Sequence, residues 1–525
     1  MDATLPSLIQ QMLQPDFYPH PVQEPIQLLQ THISYVFLTG EYAYKVKKPA
    51  NFGFLDFTSL EKRHHFCHEE LRLNRRLSPD LYLAVLPIVE NASQYQLGAV
   101  DSVQTATEYA LQMRQFPQTM LLSHLFEDGK LTPKIVQQLA TQVATFHASA
   151  VTNPEVTAYG SVASVQQVDT NNHAISTPFI GTSQTQQQQN ETHAFTTQFF
   201  EQHADWFAQR QAEGKVRECH GDLHLNNVCL YQDKIQIFDC IEFNQEFRNI
   251  DVIYDVAFMV MDLEFRGRVD LANLFLNTYL EQTGDYQGAV LLPLYLSMRA
   301  YIRGNVNSLA LNDLAISTSE KAEFLQRGQA YYRQAWDYTR RTLGAKRSQG
   351  RIILMSGLSG SGKSTVARQL AQKLNAVHVR SDAVRKHLAE IPLHQRGDRG
   401  GTFGSGIYTP EMTQKTYGAL LELGLLLAQQ GWPVILDAKY DRQALRQPVL
   451  EAAIAAHIPI KIVECTAPIE VLRDRLNHRT NDIADATAAL LESQIKTAEP
   501  LTDSEKPFAV TLQTDQPLEP QLDQI

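Results

Sequence analysis

Residues 357–365 read GLSGSGKST, a complete GxxxxGK[ST] pattern, and the apolar run 352–355 stands directly before it. A loop of this kind belongs between a strand and a helix. Its glycines let successive backbone N–H groups converge on phosphate oxygens, and the helix N-terminus adds its dipole. The stretch downstream alternates strand and helix patterns at 364–374, 376–380, 382–389, 411–430, 433–438, 442–456 and 459–465. That order predicts an α/β domain over about 350–515, a parallel sheet with helices on both faces. Gly357, Gly360 and Gly362 shape the loop, Lys363 reaches the β and γ phosphates, Ser364 offers its hydroxyl to Mg2+, and Thr365 completes the motif. In VRSDAVRKHL, Asp382 follows the second strand and is the candidate acceptor-facing residue or base, with Arg385 one turn later. PVILDA puts Asp437 at the C-terminal end of a strand, where a carboxylate can hold Mg2+ through water.

A second signature lies upstream. HGDLHLNN occupies 220–227, so Asp222 precedes Asn227 by five residues, and Asp239 follows the strand-like KIQIF. In that order the residue types suit a base meeting an acceptor hydroxyl, a metal-holding Asn and a second metal carboxylate, brought together by a hairpin. Lys45 and Lys47 share one face of a predicted strand. One of them pairs with nucleotide phosphates, and Lys45 is favoured because it lies deeper from the Lys48-Pro49 strand end. Glu69 and Glu70 on the next helix compete for the partner role, with Glu70 preferred. His220 reads as a brace for the loop. Asp251 and Asp255, four apart, are expected on one helix face, Asp255 bracing the loop as well.

The 525 residues suggest two to four domains, and 43% apolar residues suffice for ordinary cores. A net charge of −11 argues against a general nucleic-acid-binding surface. The five cysteines lack CxxC spacing, so neither a disulfide framework nor a zinc site is expected. MDATLPSLIQQML has no basic start or long apolar stretch, and no run reaches 18 apolar residues. The expectation is a cytoplasmic protein with no membrane span. Residues 34–38 and 42–47 read as a hairpin, 60–77 as a helix, and 83–90 and 105–115 as further strands. Beyond 132 the pattern is mostly helical. A small sheet lobe (about 1–115) and a helical lobe (about 116–345) make an α+β bilobal domain over 1–345. The polar segment 161–194, with SQTQQQQNET, reads as a flexible insertion. RGDRGGTFGSGIY, 396–408, reads either as a mobile loop over the acceptor pocket or as a disordered linker without function, since glycine enrichment reports freedom rather than purpose.

THISYVFLTGEYAYKVKKP, FGFLDF, EELRLNRRL, RECHGDLHLNNV and RNIDVIYDVAFMVMDLEFRG resemble a bacterial family in which an aminoglycoside-phosphotransferase-like, kinase-like domain is fused to a C-terminal P-loop ATPase domain. The C-terminal half resembles zeta-toxin-like and small-molecule P-loop kinases, and RDRLNHR supplies Arg473, Arg475 and Arg479, similar to lid arginines that clamp a transferring phosphate. The resemblance implies ATP, Mg2+ and transfer of phosphoryl groups to small-molecule hydroxyl acceptors at two nucleotide sites. The alternative reading is a nucleotide-gated regulatory protein, or a toxin-like P-loop kinase controlled by the kinase-like half.

Overall fold

A computed structural model describes residues 5–53, 55–99, 105–313, 316–343, 350–395, 406–478, 483 and 491–525. The chain clusters into two compact units. The first comprises Met1–Ile135, Thr145–Val165 and Asp205–Met259; the second comprises Val136–Ala144, Gln166–Ala204 and Val260–Ile525.

The first unit carries a 6-stranded antiparallel sheet, in the order Gln27–Gln30, Ser34–Leu38, Tyr42–Lys47, Glu108–Arg114, Tyr82–Asn91, Gln94–Leu97. The alternation of YAYKVK decides how it is used. Tyr44 and Val46 are buried with Ile9, Met12, Phe37 and Ile88 in an apolar cluster on one face. Strand pleating sends Lys45 and Lys47 to the other face, toward the helix Leu60–Asn74. Ser59 caps that helix by accepting from the Lys62 N–H at 3.2 Å. The hairpin Val228–Tyr231 and Lys234–Ile237 separates the HGD loop from Asp239.

In the second unit a 5-stranded parallel sheet runs in the order Val377–Arg380, Pro433–Asp437, Arg351–Ser356, Ile460–Thr466, Ala509–Gln513. Arg351–Ser356 is central, and its phosphate loop leads into the helix Lys363–Leu374. The fifth strand was not anticipated from the sequence. AVTLQ carries only short alternation, and of its residues only Leu512 is fully buried. The unit also holds helices that precede the P-loop in sequence: the Nδ2 groups of Asn273 and Asn277 both donate to the Ala376 carbonyl at 2.9 Å, and Trp432 Nε1 donates to that of Ala289 at 3.1 Å.

Two expectations are corrected. Residues 161–194 are not a flexible insertion: they form the helix Val162–Ser176 and most of Gln186–Gln202. The second helix opens with a reciprocal Thr185–Gln188 capping box, and Gln186–Asn190 and Gln187–Glu191 pair one turn apart at 2.8 Å. Its few apolar residues come late and spaced for one face, with Phe195, Phe199 and Phe200 all buried. Asp251 does not share a helix face with Asp255: it ends the strand Asn249–Asp251, caps the next helix by accepting from the Ile253 N–H at 2.8 Å, and pairs with buried Arg210. No described helix is long and apolar enough to cross a membrane. The Gly-rich 396–405 and Arg479 lie outside the described residues.

Candidate active sites

The kinase-like site begins with its ion network. Lys45 Nζ donates to Glu70 Oε1 at 2.7 Å and to Asp239 Oδ1 at 3.1 Å. Lys47 Nζ donates to Glu70 Oε2 at 2.6 Å and to Glu242. Glu70 is thus the carboxylate facing both lysines, whereas Glu69 turns to Arg72 and Arg248. Burial alone would push the Lys45 ammonium down, but Asp239, Glu70 and Glu242 hold it protonated well above the ordinary lysine value. Burial likewise opposes ionisation of Glu70, yet the two ammonium groups bring it down to about 2. Lys47 is sealed in, whereas the Asp239 side chain is 49% exposed, so the open end of this network is Lys45–Asp239.

Asp239 has φ = 62°, a left-handed backbone that a non-glycine residue holds only when its surroundings enforce it. They do: the Asp239 N–H donates to the Tyr82 hydroxyl at 3.2 Å, and the next N–H, of Cys240, donates to Asn74 Oδ1 at 2.9 Å. Because Asn74 is one turn past Glu70 on the same helix, the element that positions Glu70 also fixes the Asp239 turn.

The HGD loop hangs on Asp255, which accepts from the N–H groups of His220 at 3.0 Å and Gly221 at 2.9 Å and faces His147 Nε2 at 3.1 Å. His220 Nε2 donates to the Phe238 carbonyl at 2.9 Å, leaving Nδ1 to accept the Asp222 N–H at 3.3 Å. That tautomer is neutral, and burial pushes the imidazole below its usual value. One buried ring therefore links the backbone at Asp222 to the residue before Asp239. Asn227 Nδ2 donates to Asp222 Oδ2 at 2.9 Å and to its carbonyl at 3.0 Å, orienting the carboxylate, which is 30% exposed. Gly221 (φ = 87°) allows the approach, since a Cβ there would meet the Phe247 carbonyl at 2.7 Å.

At the P-loop site, Gly357, Gly360 and Gly362 have φ of 137°, 80° and 85°. A Cβ on Gly357 would come within 2.4 Å of the Cys465 carbonyl, and one on Gly360 within 2.7 Å of that of Leu472. Lys363 Nζ arches back over the loop to the Gly357 and Leu358 carbonyls at 2.9 and 2.7 Å. Burial pulls the Lys363 ammonium below its ordinary value, against the opposing charges of Asp437 and Asp382. Asp437 would be raised by burial, but His378 (Nε2–Oδ2 3.0 Å), Arg380 and the Ser364 hydroxyl outweigh it and hold the carboxyl at about 2. Asp382 sits half-buried in the first turn of Ser381–Leu388, inside the helix rather than at its N-cap, which is Arg380. Arg475 donates to the Gly360 carbonyl at 3.3 Å, the Thr514 hydroxyl at 2.9 Å and the Thr514 carbonyl at 2.7 Å, so its guanidinium is engaged in bracing the loop; Arg473 is exposed.

Among the positioning residues that no sequence pattern singled out are Glu242, His378 and Thr514. Glu242 lies three residues past Asp239 in DCIE, and a second buried lysine calling for its own carboxylate was the available signal. His378 emerges from parallel pairing, in which Arg380 is in register with Asp437. Thr514 follows the unanticipated fifth strand and donates to the Ser361 carbonyl at 2.8 Å.

Comparison with known proteins matches the two candidate sites to two different families. Residues 54–292 match the family described as "Phosphotransferase enzyme family", and residues 352–501 match "AAA domain". Uncharacterized proteins of Mycobacterium tuberculosis and Mycobacterium bovis are 28% identical over 486 residues, covering 90% of this chain and 90% of theirs. Among solved structures, a choline/ethanolamine kinase family protein from Mesorhizobium loti is 12% identical, covering 64% of this chain and 99% of its own (TM-score 0.37). A gluconokinase from Sinorhizobium meliloti is 24% identical, covering 34% and 89% (TM-score 0.25).

Proposed function

Because the chain joins a kinase-like phosphotransferase domain to a P-loop kinase domain with a parallel sheet, we propose that it is an ATP- and Mg2+-dependent phosphotransferase with two nucleotide sites, each passing a γ-phosphoryl group to the hydroxyl of a small molecule. The observation that carries this reading is the kinase-like constellation. Lys45, Glu70 and Asp239 form one ion network, and Asp222 and Asn227 form a hydrogen-bonded pair linked to it through the His220 ring. A site that only bound nucleotide would not need a half-open carboxylate held by an amide.

Lys45, fixed by Glu70, neutralises phosphate oxygens. Asp222 accepts the proton of the attacking hydroxyl and orients its oxygen for attack on the γ-phosphorus. In the P-loop half, Lys363 and the loop N–H groups hold the phosphates, Asp382 faces the acceptor, and Arg475 keeps the loop in shape. The donors available for Mg2+ are hard oxygens, as that ion requires: the Asn227 amide oxygen and Asp239 in one site, and the Ser364 hydroxyl with Asp437 in the other. When bound, the ion neutralises phosphate charge.

The test is ATP consumption by the full chain against a panel of small hydroxyl compounds such as sugars, amino alcohols and nucleosides. An acceptor that stimulates turnover, and ceases to do so in Asp222→Asn or in Asp382→Asn, supports the reading and assigns the half. ATP turnover that no hydroxyl compound stimulates and neither variant changes would sink it.

A further inference from the structure

The helix pair that replaces the expected insertion holds a cluster that the phosphotransfer reading does not use. Asp169 and His173 lie one turn apart on Val162–Ser176, both buried, and His193 reaches them from Gln186–Gln202. One ligand atom from each lies within 4.8 Å of the others.

His173 is the anomalous member. It is 4% exposed, and neither Nδ1 nor Nε2 has a hydrogen-bond partner. Its Nε2 lies 3.7 Å from Asp169 Oδ2, beyond hydrogen-bonding range. Its ring packs on His193 and Tyr301, with centroids 4.7 and 4.3 Å away. A buried imidazole with both nitrogens unmatched is a costly arrangement unless something else takes a lone pair. The Tyr301 hydroxyl bonds to Ser176 and Gln184, and the Thr196 hydroxyl donates to Asp169 Oδ2 at 2.6 Å. The last bond resembles the outer hydrogen bond that orients a carboxylate ligand.

We propose that Asp169, His173 and His193 bind a Zn2+ ion that ties these two helices together. Two imidazoles and one carboxylate suit this borderline cation and leave a fourth position for water, whereas Mg2+ and Ca2+ prefer all-oxygen sets. Around tetrahedral Zn2+ neighbouring ligand atoms stand roughly 3.3 Å apart, as bonds of about 2.0–2.1 Å require. The set therefore closes by a modest movement, for which His193 is free because it is the exposed member.

The experiment uses untagged full-length protein, stripped with chelator, exposed to Zn2+ in excess Mg2+ and desalted, with retained zinc measured by mass spectrometry. Co2+ replaces Zn2+ in a parallel sample for its visible d–d absorption. His193→Gln changes an exposed side chain, and Asp169→Asn keeps an oxygen for Thr196, so both variants should fold. The expected result is one retained Zn2+ per chain, a tetrahedral-type Co2+ spectrum and a melting temperature raised by Zn2+, all three lost in both variants. His64 and His68, a histidine pair on another helix, are untouched by these changes and serve as the internal control. Wild-type protein that retains no zinc would overturn the proposal, as would His193→Gln retaining the full equivalent.

Discussion

The two candidate nucleotide sites are built in opposite ways. At the P-loop the groups proposed to face phosphate come from one run of nine residues, 357–365, shaped by three left-handed glycines. In the kinase-like half, Lys45 meets a glutamate 25 residues away and an aspartate 194 residues away, in a network that shields four charges from water. The first site depends on backbone shape and should fail through sterics. The second depends on charge balance among distant side chains and should fail when one partner is removed.

The largest effect should be on chemistry. In a Lys363→Ala background, Asp222→Asn should lower turnover in the kinase-like half roughly 10²- to 10⁴-fold with little change in nucleotide affinity. Single-turnover kinetics alongside calorimetric binding would check this, and a parallel loss of affinity would make Asp222 a binding residue instead.

Glu70→Gln comes next. It removes the carboxylate that two buried ammonium groups share, leaving Lys45 with Asp239 and Lys47 with Glu242, so the cost should stay below the roughly 3–5 kcal/mol of a buried pair broken outright. Urea unfolding should show the first unit destabilised while the P-loop unit keeps its midpoint. If both transitions move equally, the contrast between the sites is lost. The acid limb gives a finer check. Glu70 and Asp437 are both depressed to about 2, from ordinary values of 4.5 and 3.8. Each stabilises the folded state fully above its ordinary value, and that contribution is lost as pH falls from there toward 2. Melting followed from pH 5 to 3 should therefore be less steep in Glu70→Gln than in wild type, since one of these carboxylates no longer titrates.

A steric failure should be milder. Gly360→Ala forces φ = 80° on alanine and drives its Cβ toward the Leu472 carbonyl, a strain of about 1–3 kcal/mol. Nucleotide affinity at the P-loop should weaken at least roughly fivefold, the low end of that range. Unchanged affinity would mean that the loop can relax. The smallest effect belongs to the helix pair: Thr185→Ala removes the capping box and should cost about 1 kcal/mol. Limited proteolysis should then cut 161–194 faster than in wild type.

What the sequence disclosed follows the same contrast. The P-loop, its flanking strand and helix, and the HGD loop are local patterns, and each lies where its spacing indicated. The alternation in YAYKVK put Lys45 and Lys47 on one face, but only tertiary packing shows Glu242 completing the second ion pair. Asp251 looked like a helix-face residue because i and i+4 spacing does not reveal that a strand ends between them. The segment 161–194 misled for a different reason. Composition averages a whole window, whereas capping and a few well-placed apolar residues decide whether a polar helix docks. Thr514 and His378 act through parallel pairing between strands far apart in sequence, which no local pattern specifies.

The most direct test of the central claim is the nucleotide stoichiometry of the full chain, titrated calorimetrically with a non-hydrolysable ATP analogue and Mg2+. Two equivalents are expected in wild type, with one lost in Lys363→Ala, the other lost in Asp239→Asn, and none binding in the double variant. A single equivalent in wild type that Lys363→Ala abolishes would contradict the account, because the Lys45–Glu70–Asp239 network would then hold no nucleotide.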